Sequence, residues 1–117
     1  MKKVIYNTCY GGFSISRECA EFMADHGNEE CIDTLDRPPK SPKPFFPEDE
    51  LFWGALFETP RHDAILVMAV EHLGLEAASG EGATLDIHLL RGDRYFIDQY
   101  DGSETVVEPD DIEWVVV

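Results

Sequence analysis

Tyr6-Asn7-Thr8-Cys9-Tyr10-Gly11-Gly12-Phe13-Ser14-Ile15-Ser16 joins a short apolar run to an amphipathic segment. One loop thus carries two tyrosines, a phenylalanine, a thiol, an amide and two adjacent glycines. Upstream, Lys3–Asn7 mixes β-branched and aromatic residues, the pattern of a strand. Gly11-Gly12 breaks it, and Ser14 or Ser16 can cap a helix after it. Ile15, Cys19, Phe22 and Met23 recur at helical spacing and share one face. His26-Gly27 is the natural stop.

Residues 28–50 begin acidic and then carry five of the seven prolines, Pro38, Pro39, Pro42, Pro44 and Pro47. Proline fixes φ and removes a donor, so this stretch reads as an irregular, Pro-rich insert, with Phe45-Phe46 pinning it to the body. Leu51–Phe57 reads as a strand by its aromatics and brevity. Asp63 caps a helix over Ala64–Leu73 that Gly74 closes. Leu66, Val70 and Leu73 form its stripe, and Ile65, Val67 and Ala69 widen it until most sides ask for burial.

After a Gly/Ser/Ala-rich turn the chain becomes β. Leu85, Ile87 and Leu89 alternate with polar residues, and Gly92-Asp93 turns the chain back into Tyr95-Phe96-Ile97. Asp101-Gly102 is a hairpin signal that sets Ile97 opposite Val106 and Asp98 opposite Thr105. Glu104–Glu108 is then a strand ended by Pro109, and the tail from Asp110 to Val117 is a candidate edge strand. The expected fold is α+β. It is a single domain, residues 1–117, with a small, mainly antiparallel sheet and two helices packed on one face.

The 24 acidic and 9 basic residues leave a net charge of −15. That field repels nucleic-acid backbones and anionic membranes, so neither is an expected partner, and it suits a basic protein partner. Six of the nine basic residues lie before residue 44, so the glycine loop sits in the least acidic part of the chain. Three cysteines cannot all pair within the chain, and no run approaches a membrane span. Reduced thiols and a cytoplasmic protein are expected. Cys19 belongs to the core, and Cys9 lies in the loop.

The chain resembles a family of small, mostly uncharacterised bacteriophage and prophage proteins. The likeness rests first on Tyr6, Asn7, Cys9, Tyr10, Gly11, Gly12, Phe13 and Ser16. It continues through Arg61, Asp63, Leu66, Val67, Val70, Glu71, Leu73 and Gly74, and through Tyr100, Asp101, Gly102, Glu104 and Val106. Ala64 stands where the family has proline, and Ile112-Glu113-Trp114 with a valine tail replaces its usual ending. The resemblance implies a phage origin and an accessory role inside the host, and it supplies no enzymatic mechanism.

Strand, glycine pair and helix N-terminus together can present backbone N–H groups to an anion. Tyr6, Tyr10 and Phe13 offer aromatic faces, Asn7 a base-reading amide, and Arg17, Arg61 or His62 a phosphate partner. With Cys9, Gly11, Gly12 and Ser14 these residues make a candidate site for a small anionic or nucleotide-like ligand, such as a bacterial defence signal that a phage would blunt. No Gly-Lys-Ser/Thr follows, so the loop is not a P-loop. The same glycines and rings can instead be architectural. A rival class is an acidic inhibitor or DNA mimic acting on a host protein, and a third is a small enzyme using Cys9 or His62. Asp63 is occupied as a cap and is a poor partner for His62. No cofactor or metal ligand set is read from the sequence. The aromatic insert and valine tail suggest a homo-oligomer.

Overall fold

The computed structural model describes residues 2–36, 56–113 and 115–117. Strand β1 (Lys3–Asn7) leads through the glycine loop into α1 (Arg17–Asp25), followed at once by α2 (Glu29–Asp36). Then come α3 (Ala64–Leu73), the short α4 (Leu75–Ala78), β2 (Leu85–Leu89), β3 (Phe96–Tyr100), β4 (Ser103–Val107) and a 3-10 turn at Pro109–Asp111. The class is α+β, as the residue pattern implies.

The caps fall where the side-chain chemistry puts them. Ser16 Oγ accepts from the Cys19 amide at 3.1 Å, and Asp63 accepts from Ile65 and Leu66 at 3.0 and 3.1 Å. These bonds satisfy amides that the helices cannot satisfy themselves. The hairpin register is the one set by Asp101-Gly102, with Ile97 opposite Val106 and Asp98 opposite Thr105. Both turn residues are left-handed, Asp101 at φ 49° and Gly102 at φ 91°, as a two-residue turn between twisted strands requires.

Several finer expectations change. Residues 29–36 are helical, not irregular. Asn28 Oδ1 caps the Cys31 amide at 2.9 Å, and Cys31 and Leu35, four residues apart, turn toward the core. The pinning role of Phe45-Phe46 and most of the Leu51–Phe57 strand lie outside the described residues. Phe57 itself is exposed and is not in a strand. Among the described residues four helices form rather than two. Among the described residues of the tail no strand forms: after the 3-10 turn, Val115, Val116 and Val117 are exposed.

The strands form two antiparallel pairs, β1–β2 and β3–β4, instead of one sheet. The reason is what fills the free edge of β1. The Ile5 amide donates to the Arg61 carbonyl at 2.9 Å, and the Asn7 amide donates to the Glu104 carboxylate at 2.9 Å. A loop carbonyl and a side chain thus take the places of a backbone ladder, and β4 lies beside β1 without bonding to it strand to strand. Nor does β3 pair with β2. The 91–92 turn is instead held by Glu108, which accepts from the Arg91 and Gly92 amides at 2.8 and 3.1 Å.

The main core lies between one face of β1–β2 and the helices. It joins Ile5 and Leu85 to Ile15, Cys19, Met23, Cys31, Leu66, Val70 and Ala78. The opposite face of β1 closes a smaller cluster, Val4 with Leu90 and Val106, flanked by Tyr6 and Tyr95. Among the described residues no helix is long and apolar enough to cross a membrane.

Candidate functional site

The loop after β1 packs against two other turns. A Cβ on Gly11 would overlap the Gly82 carbonyl oxygen, and one on Gly102 would lie 2.5 Å from the Tyr10 carbonyl oxygen and 2.7 Å from the Gly12 nitrogen. Three chain segments therefore meet backbone to backbone, and the glycines at the junction are what allow it. A Cβ on Gly80 would meet the Ser14 side chain and the Ile15 carbonyl oxygen, and the Gly80 amide donates to the Ser14 carbonyl at 3.0 Å.

Asn7 sits at the centre of this clasp, fully buried. Its Nδ2 donates to the carbonyls of Cys9 and Gly102 at 2.7 and 2.8 Å, and its Oδ1 accepts from the Thr84 amide at 2.8 Å. Every hydrogen-bonding position of the amide faces protein, so Asn7 ties the loop to the hairpin and to β2. A base edge cannot reach it.

Arg61 is likewise engaged. Its guanidinium forks onto Glu104 at 2.6 and 2.9 Å and lies 3.5 Å over the Phe13 ring centroid. The Glu104 side chain is 4% exposed and that of Arg61 19%. The bidentate pair uses two of the guanidinium's N–H groups on the buried carboxylate, and the Phe13 ring covers one face of the cation. Arg61 thus serves the β1–β4 junction and is not set out for a phosphate.

The aromatic residues do not converge. Tyr6 lies on the minor-core face of β1, edge-on to His88 at 6.4 Å, with burial and then Asp86 raising its pKa. Phe13 packs toward the main core, and Tyr10 is 73% exposed. Arg17 pairs with Glu21 one helical turn on, at 3.2 Å. His62 is exposed and shares a 2.8 Å hydrogen bond with the Tyr95 hydroxyl. The structure therefore gathers Asn7, Gly11, Gly12, Phe13, Ser14 and Arg61 with the Tyr10 backbone into one junction, and leaves the side chains of Tyr6, Tyr10, Arg17 and His62 elsewhere.

Cys9 is the reactive-looking member. The Gly11 N–H lowers its pKa against a smaller burial effect, with Thr84 and Asn7 assisting. As a thiol it donates to the Gly82 carbonyl at 2.9 Å. Cys9 and His62 share no partner among the described residues, so no thiol–imidazole pair forms. Cys19 and Cys31 are buried, and desolvation pushes them up to about 12 and about 11. Brief treatment of native protein with iodoacetamide at neutral pH should therefore add a single adduct, mapped by mass spectrometry to Cys9. Equal labelling of Cys19 or Cys31 would contradict the packing around α1 and α2.

Two further carboxylates organise turns. Glu30 accepts from the amides of Phe57, Glu58 and Thr59 at 2.6, 2.9 and 2.9 Å. Burial works to raise its pKa, but these donors outweigh it and hold the carboxyl below its usual range. Glu108 bonds His88 at 2.9 Å, and that contact leads those holding its carboxyl down at about 2. The signal for Glu104 and Glu108 is in the hairpin register, which puts both on one face with Val106. Carboxylates flanking a buried valine demand cations or hydrogen-bond partners; Arg61 and Arg91 supply the charge and His88 a hydrogen bond. No family model, curated protein or solved structure matches the chain.

Proposed function

We propose that this is a phage-encoded accessory protein that works by binding, through its acidic surface, to a basic host protein. The supporting observation is where the cations go. Lys3, Arg17, Arg61, Arg91 and Arg94 each lie within ion-pairing distance of a carboxylate in the chain itself. Among the described residues local pairing absorbs most of the positive charge and leaves the acidic surplus unbalanced.

Part of that surplus lies along α1 and α2, where Glu18, Asp25, Glu29, Asp33 and Asp36 are exposed. Neither helix has a basic residue in its last turn, and Asp25 and Asp36 sit there instead. The negative end of a helix dipole repels an acid by about 0.3–1 kcal/mol at an exposed site. A surface arranged for stability alone would carry lysine at such positions. A cationic partner would relieve the repulsion on binding, and the contact would weaken with salt. The resemblance to phage proteins supports the setting, and the internally committed glycine loop argues against an enzyme built on it.

The test compares wild type with a variant carrying Glu18→Gln, Asp25→Asn, Asp33→Asn and Asp36→Asn. Each is immobilised and exposed to host lysate. The wild type should retain a basic protein that elutes as salt rises, and the variant, with an undiminished melting temperature, should lose it. Equal retention by both, or none by wild type, would overturn the reading.

A further inference from the structure

On another side of the molecule, an open cleft of about 680 Å³ lies between the start of β1 and the outer face of α3. It is lined by the nitrogen-bearing side chains of Lys2, Lys3, His62 and His72, the apolar Ala64, Val67 and Met68, and Glu71. We infer that this cleft binds a small phosphorylated ligand with a flat or apolar body, phosphate toward Lys2 and His62, body over Val67 and Met68.

The charge pattern carries the first part. Glu71 holds Lys3 with both carboxylate oxygens at 3.0 Å, which cancels one cation. Lys2 has no ion pair among the described residues, so one full positive charge is left over in a chain of net charge −15. His62 Nδ1 is engaged by Tyr95. When that hydroxyl donates, Nε2 carries the ring proton and is a donor for an anion. The His72 ring is fixed by stacking on Phe22 at 4.9 Å, with an interplanar angle of 28°. Three nitrogen-bearing side chains, two of them held in place by aromatic neighbours, thus face one space.

The apolar part follows from α3. The helix is hydrophobic around nearly its whole circumference, and the core takes Leu66, Ala69 and Val70. Met68 is left 41% exposed beside Val67. Val67 and Met68 both line the cleft, and a valine and a thioether are apolar surface against which a flat ring packs. The volume falls in the range of small-molecule pockets. The overall negative field excludes a polyanion such as DNA or RNA from the same cations, so the ligand is a small molecule.

The experiment is calorimetric titration of the whole chain with adenosine monophosphate and phenyl phosphate. Adenosine and inorganic phosphate are titrated alongside, each carrying half of the proposed chemistry. At least one of the two phosphate esters should bind at one site, at least tenfold tighter than either half alone. Lys2→Glu, an exposed change, should weaken it tenfold or more, and Met68→Asp should weaken it similarly. Arg94→Glu, at an exposed position outside the cleft, should leave it unchanged. No ester binding at millimolar concentration, equal binding of inorganic phosphate, or indifference to Lys2→Glu would each overturn the inference. The acidic variants of α1 and α2 should not alter this titration, so its failure and that of the partner-binding reading are separable.

Discussion

Glu104→Ala should lower stability by about 3–5 kcal/mol, the usual cost of breaking one side of a buried ion pair. The substitution leaves the Arg61 guanidinium over the Phe13 ring without a counter-ion. It also strands the Asn7 amide, whose acceptor is that same carboxylate. For a domain of this size the melting temperature should fall by roughly 12–20 °C. Pairing Glu104→Leu with Arg61→Met removes both charges together, so thermal melts should show the double variant more stable than Glu104→Leu alone. If Glu104→Ala melts within a few degrees of wild type, the carboxylate is not what joins β4 to β1.

The second large effect concerns the glycines. Gly11→Ala would drive a methyl into the Gly82 carbonyl, a backbone atom that cannot step aside as a flexible side chain would. Gly102→Ala meets the Tyr10 carbonyl oxygen at 2.5 Å and adds a left-handed φ of 91°. Each should cost about 3 kcal/mol or more, within the tail of mutational effects reserved for overpacking and strained backbone. Gly12→Ala is the internal control. It has φ 87° but nothing within 4 Å of a new Cβ, so it should cost only about 1–2 kcal/mol of left-handed strain. Urea midpoints should rank Gly102→Ala and Gly11→Ala well below Gly12→Ala. Equal midpoints for all three would mean that the turns do not meet.

These effects show what the residue pattern conveys and what it does not. Local chemistry placed β1, α1, α3 and the β3–β4 hairpin, because a capping serine or aspartate, a closing glycine and an Asp-Gly turn act over a few residues. Helix α2 was hidden. Among its acidic residues only Cys31, Ile32 and Leu35 are apolar, and the prolines beyond residue 37 suggest irregular chain. The break between the two sheets is non-local. It arises when Arg61 and Glu104 reach β1 from segments distant in sequence and occupy its edge.

The candidate ligand loop follows the same logic. An amide, paired glycines and rings in one stretch are consistent with a receptor, and they equally furnish a junction. Only the positions of Gly82, Thr84, Gly102 and Glu104 separate the two. His62 belongs with Lys2 and His72 across α3, a grouping that no local spacing announces.

The account rests on the Asn7 main-chain N–H being locked onto Glu104 within a closed junction. Hydrogen–deuterium exchange by NMR reads that amide directly. It should be protected close to the limit set by global unfolding, together with Ile5, and lose most of that protection in Glu104→Ala while the α3 amides stay slow under stabilising conditions. Fast exchange at Asn7 in the wild type would show an open loop and contradict the account.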